Sequence, residues 1–232
     1  MSKLIQDISG LRSLLAVMPA AYWIMLLASI VWADTDMPRS VAAYNETVFL
    51  PLVPMICVLF FQRELGGSSM EMYATYPVSI SLTVLRKYLL SIATMVVLHF
   101  CVFQAYVWKF GTIQGTVWSY WTDTARQGQI HWFELAAQSF PVLLSVSAFV
   151  VLWMIGVKKL YAGMAAGFGL WMAEMLSNGS LFQGAVLFTG HLQGVSFTFN
   201  RMLHLAAALL LLLAAMRLSE RRDRWIATVE QE

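Results

Sequence analysis

The chain has 232 residues, 59% of them hydrophobic and 12% charged, with a mean hydropathy of +0.66. Soluble domains carry about a quarter charged residues, so this composition excludes an ordinary soluble domain and points to an integral membrane protein. The net charge of +2 is too small to point to nucleic acid as a partner.

In chain order, residues 1–13 come first. Leu4, Ile5, Ile8 and Leu11 recur at helical spacing with Lys3, Asp7 and Arg12 between them. That pattern predicts an amphipathic helix lying in the membrane interface. A full-length apolar span follows directly, so the start does not read as a cleavable signal peptide.

Six stretches approach the roughly 20 apolar residues that a bilayer-spanning helix needs: Leu14–Ala33, Glu46–Gln62, Tyr88–Trp108, Leu135–Val157, Tyr161–Leu176 and Met202–Leu218. The expected fold is therefore an all-α membrane protein built as a single transmembrane domain. Cys57 and Cys101 fall inside these spans and read as buried structural thiols. Pro141 is expected to kink or loosen the fourth span. If the N-terminus is cytosolic, eleven of the 15 Lys and Arg lie on the cytosolic side and four outside, which predicts both termini inside. Lys158-Lys159 makes a tight inner turn, and residues 219–232 form a basic cytosolic tail whose charge suits anionic lipid.

The outer connections differ in character. Residues 109–134 carry Trp118, Tyr120, Trp121 and Trp132, which suits an aromatic belt at headgroup level. Residues 177–201 are apolar but broken by Gly179, Gly184, Gly190 and Gly194. A re-entrant or interfacial helical hairpin is expected there, and such backbone must be buried in protein or line a cavity.

The richest segment lies between spans two and three, Q-R-E-L-G-G-S-S-M-E-M-Y-A-T-Y-P-V-S. Gly66-Gly67 ends the incoming helix, and Ser68 with Glu71 forms the S-x-x-E capping box that satisfies orphan amides at a helix start. Pro77 stops the new helix after about two turns. A short surface helix from Ser69 to Tyr76 results, with Met70, Met72, Tyr73 and Tyr76 as adaptable contact surface. Ser79 or Ser81 caps the helix that follows.

This run resembles the inner segment of type-2 ATP-binding-cassette (ABC) transporter permeases, whose pattern is E-R-E-x-G-[ST]-x-E-x-L-x-x-x-P-[IV]-S followed by a basic residue before the third span. Glu64, Gly67, Ser68, Glu71, Pro77, Ser79 and Lys87 fall on it. Gln62 stands in place of the first acid, and Met72-Tyr73 in place of an aliphatic pair. The resemblance covers the span count and the broken outer hairpin as well. It implies that this segment is a coupling helix, with Glu64, Gly67, Ser68, Glu71, Tyr73, Pro77 and Lys87 as the coupling residues. It further implies a bacterial-type cytoplasmic membrane, two separate ATPase subunits that hold ATP and Mg, and a second permease copy or sister permease. No cofactor is expected on this chain, which has no G-x-x-x-x-G-K-[ST] phosphate loop.

Among polar residues within or beside the spans are His99, Gln104, Gln138, Glu174 and His204. An ionisable group at membrane depth is a functional candidate by default. Glu174, His191, Phe182 and Phe188 are the candidates for a pathway or outer gate, with an interfacial acid reaching water as the simpler account of Glu174. The expected cargo is hydrophobic or amphipathic, such as a peptide, a lipid-like or a drug-like molecule. Two alternatives stand beside the exporter: a non-transporting sensor or immunity subunit, and an intramembrane enzyme using Ser180 and His191. The enzyme lacks the G-x-S-x-G and H-E-x-x-H signatures.

Overall fold

The computed structural model describes residues 14–34, 41, 43–66, 70, 73, 75, 76, 79–111, 113–120, 123–192 and 194–225. A 3-10 turn at Leu14–Ala16 leads into α1 (Val17–Val31), and a π-helical segment (Ala43–Val48) leads into α2 (Leu52–Leu65). There follow α3 (Ile80–Phe110), a hairpin of β1 (Gln114–Trp118) and β2 (Ala125–Gln129), α4 (Trp132–Val157), α5 (Leu160–Ser177) and α6 (Phe197–Ser219). Three further 3-10 turns lie at Gln183–Ala185, Thr189–His191 and Arg222–Arg224. The expected interfacial helix at 1–13 lies outside the described residues.

Among the described residues, five helical stretches are long and apolar enough to cross a membrane: Leu14–Val31, Tyr44–Leu65, Ile80–Phe110, Trp132–Val157 and Phe197–Ser219. That is the make-up of a multi-pass membrane protein. Helix α5, expected as a further span, is present but stands outside that set. Gly163, Gly167, Gly169 and Glu174 dilute its hydropathy.

Helices α2 and α4 form the centre. About two thirds of each is buried (67% and 61%), against 17%, 28% and 22% for α1, α3 and α6. α4 touches α2, α3, α5 and α6, and α1 packs on α2 and α3. The perimeter is apolar: α6 exposes Met202, Leu205, Leu209, Leu210 and Leu213. Lipid tails are as apolar as leucine, so such a surface is at home in a bilayer and the helices must associate through packing and polar contacts.

Close packing is visible where α5 meets the centre. Gly163 and Gly167 lie one turn apart on one face. A Cβ at Gly167 would sit 2.8 Å from Pro54 of α2 and 2.8 Å from Val150 of α4. These glycines let α5 approach both central helices at backbone distance.

Proline decides much of the rest. A proline leaves the carbonyl four residues earlier without its helical partner, and inside a membrane that group must be satisfied by protein. Pro51 frees Thr47 O, and Trp171 Nε1 of α5 donates to it at 3.0 Å. The neighbouring turn is also irregular: Leu52 N donates to Phe49 O, and Val48 O takes the Tyr22 hydroxyl of α1 at 2.7 Å. Pro141 frees Ala137 O, which accepts from the Tyr120 hydroxyl. The expected loosening at Pro141 is thus met by a single outside donor, and α4 runs on through it.

Two expectations about connections change and one holds. The cap falls at Ser79, whose side chain accepts from Leu82 N at 3.4 Å, and the helix it starts runs 31 residues from Ile80 through the expected span Tyr88–Trp108. At about 1.5 Å per residue it exceeds a hydrocarbon core of about 30 Å. The Trp-rich connection is a β-hairpin, with Gln114 opposite Gln129 and Trp118 opposite Ala125. The segment after α5 contains two 3-10 turns in place of a helical hairpin. The Lys158-Lys159 turn is as tight as expected: Lys158 takes the left-handed conformation (φ 59°), and α5 starts at Leu160.

The β-hairpin is joined to α6 by Asp123, which accepts from Thr198 N at 3.0 Å. That bond, with one from Ser196, holds the Asp123 carboxyl below its ordinary range. A depressed carboxyl stabilises the fold above its unfolded pKa, and the contribution is lost as pH falls through the folded value. Asp123→Asn, which tolerates the same left-handed backbone (φ 53° at Asp123), is expected to lower the thermal midpoint at neutral pH. The gap to wild type closes on acidification in a melting series in detergent. In the same assay Gly167→Leu is expected to cost about 1–3 kcal/mol by overpacking. Gly169→Leu, where a Cβ meets nothing within 4 Å, leaves the midpoint nearly unchanged.

Candidate functional site

Two polar constellations stand out, one at each end of the bundle. The first lies where α2 ends and α3 begins. Glu64 in the last turn of α2 meets Lys87 of α3 at 2.7 Å, with both side chains 3% exposed. Lys87 Nζ also donates to Phe60 O at 2.7 Å. Helix α3 starts seven residues before Lys87, so the pair fixes the two helices on either side of the expected coupling segment.

Of the other expected coupling residues, Gly67, Ser68, Glu71 and Pro77 lie outside the described residues. Tyr73 is half-buried against the core, and Met70 is buried. The C-terminal turn reaches this segment: Arg222 Nη1 donates to Tyr76 O at 2.7 Å. Arg224 Nη2 donates to Gly156 O at 2.8 Å, and Lys158 Nζ donates to Arg224 O. Trp225, buried, donates to Ser219 O at 3.1 Å. Residues 220–223 of the basic tail stay exposed, while Arg222, Arg224 and Trp225 tie the described part of it to Tyr76 and the α4–α5 turn.

The second constellation, at the opposite end, holds the segment between α5 and α6. Val186, Leu187, Phe188 and Thr189 are all buried, so their backbone needs partners. Side chains from the surrounding helices supply them. Asn200 of α6 donates to Gly184 O and Val186 O at 3.0 Å each, and His204 reaches Val186 O at 3.1 Å. Arg201 donates to Leu187 O at 3.2 Å. Glu174 of α5 accepts from Leu187 N at 3.1 Å, and Glu46 accepts from Thr189 N at 2.7 Å and its hydroxyl at 2.8 Å.

Two ion pairs complete it. Arg201 meets Glu46 at 3.3 Å, and His191 Nδ1 meets Glu174 at 3.0 Å. Arg201 and Glu174 are both 0% exposed, and His191 is 18% exposed. The Arg201 guanidinium also lies 5.4 Å from the Phe197 ring, which stacks on Trp118 at 5.7 Å. The expectation that Glu174 reaches water is corrected: its carboxylate is sealed in by α5, the turn at Leu187 and His191. Of the expected gate residues, Glu174, His191 and Phe188 come together, Phe188 edge-on to His191 at 5.3 Å. Phe182 is half-buried one residue ahead of the first turn. Ser180 donates to Ser177 O at 2.7 Å, and His191 is turned to Glu174.

Sequence reasoning passed over Glu46, Thr189, Asn200 and Arg201. Glu46 and Arg201 sat at the predicted edges of spans, where a charge is ordinary. The available signal was the apolar run around Glu46 (V-A-A-Y-N-E-T-V-F-L). His99 does bridge helices: Trp132 Nε1 donates to His99 Nδ1 at 3.1 Å, His99 Nε2 bonds Asn45, and Asn45 donates to Leu135 O at 3.3 Å.

No known family model, curated protein or solved structure matches the chain.

Removing one partner of a buried ion pair leaves the other charge unanswered, which costs about 3–5 kcal/mol. Glu64→Gln is expected to lower stability by that order, read as a large drop in the unfolding midpoint. Glu64→Leu combined with Lys87→Met, which removes both charges, recovers most of the loss.

Proposed function

We propose that this chain is the membrane-spanning subunit of an ABC exporter, with α5 as a sixth span and both termini in the cytosol of a bacterial-type cell. Two such subunits, identical or a sister pair, form the pathway, and two separate ATPase subunits drive it. The segment between α2 and α3 is the coupling helix on which an ATPase docks.

The observation that carries this reading is the Glu64–Lys87 pair. A push on a loop is dissipated if the flanking helices respond independently. Here the ion pair and the Lys87–Phe60 bond join the end of α2 to the start of α3, so a displacement between them is passed to both. Arg222 and Arg224 extend the connection to the α4–α5 turn. The motif residues Glu64 and Lys87, 23 positions apart in sequence, meet as one unit. The cargo on this reading is hydrophobic or amphipathic.

The test is co-expression with candidate ATPases, those encoded beside this chain first, followed by pull-down and ATPase assay. Glu71→Arg is expected to abolish capture of the ATPase that wild type retains, with membrane insertion unchanged. Capture and ATPase stimulation that both survive Glu71→Arg overturn the coupling assignment.

A further inference from the structure

Beside the second constellation lies a cleft of about 430 Å³, lined by Glu46, His191, Trp118, Phe188, Ile130 and Leu192 among others. Its volume falls within the range of roughly 300–1,000 Å³ typical of small-molecule sites. No Lys or Arg is among its described lining residues.

The charges around it do not balance. The groups facing His191 and its neighbours are Glu174 of α5, Glu46 of the π-helical segment, Arg201 and His204 of α6, and Tyr120 after β1. Arg201 answers Glu46. Glu174 bonds His191 and one backbone amide and feels Arg201 only at longer range, and its second oxygen, fully buried, takes no hydrogen bond from any described residue. With His191 neutral, two carboxylates face one guanidinium. A buried charge without a partner is costly, so the cluster favours any cation that settles at its mouth. His191 is the link: its Nδ1 faces Glu174, and its ring reaches the cleft. A neutral ring with its proton on Nδ1 keeps Nε2 as an acceptor.

We propose that this cleft binds the cationic head of an amphipathic molecule, an organic ammonium or phosphonium carried on an apolar body. The cation lies against Glu46 and His191 and beside the aromatic rings of Trp118 and Phe188, which attract positive charge. Ile130, Leu192 and Val41 take the body. This goes beyond the export reading and needs no ATPase: a failure here leaves the coupling assignment standing.

The probe is tetraphenylphosphonium, with tetraphenylborate as an anion of the same shape, measured by equilibrium dialysis on the purified full chain. Saturable binding of the cation is expected, with no saturable binding of the anion. Glu174→Gln is expected to weaken binding at least tenfold, whereas Glu174→Asp retains it. Thr116→Lys, on the exposed wall of the cleft, places a cation there without touching the buried cluster and is expected to abolish binding even if Glu174→Gln does not fold. Equal binding of both ions, or cation binding that survives both Glu174→Gln and Thr116→Lys in folded protein, overturns the proposal.

Discussion

Glu46 and Arg201 meet in the buried floor of the cleft, and the end of the bundle opposite the strapped tail is organised around that contact. The carboxylate of Glu46 holds Thr189 by two hydrogen bonds and the guanidinium of Arg201 by a third. Arg201 in turn holds Leu187 O. One ion pair therefore ties the start of α2, the start of α6 and the irregular segment between α5 and α6. In an apolar medium each of these groups would cost several kcal/mol if left alone. The charges are retained because their absence would strand the backbone of a buried turn.

The same constraint explains the prolines. In water a carbonyl freed by proline is solvated and tells the rest of the protein nothing. In a membrane it becomes a demand on some other helix. Thr47 O is met by Trp171 and Ala137 O by Tyr120. Each proline thereby fixes a long-range contact, α2 to α5 in one case and the β-hairpin link to α4 in the other. Polar exceptions in the spans act as the fastening points that a purely apolar interface cannot provide.

The two ends of the bundle are built differently. At the tail end a buried ion pair and a basic strap join α2, α3 and the α4–α5 turn into one mechanical unit. At the other end a densely bonded turn closes over a cleft whose surplus charge is negative. The glycine contacts of α5 with Pro54 and Val150 connect the two, because α5 carries Glu174 at one end and begins at the strapped turn at the other.

The sequence by itself determined the class and the rhythm of the chain. Apolar runs of spanning length, the stops at Gly66 and Lys158 and a serine cap at Ser79 or Ser81 all follow from local composition and spacing. It also carried the Glu64 and Lys87 positions, through a motif. Tertiary structure alone decided who meets whom. Glu46 and Arg201, 155 positions apart, look like span-edge charges until packing removes their water. Pro141 looks like a kink until a distant side chain takes the freed carbonyl. The β-hairpin was hidden for a related reason: Trp118 and Tyr120 suit a lipid interface as well as they suit the Phe197 ring they pack on. Composition states what must be satisfied, and only the arrangement of helices in space says by which residue.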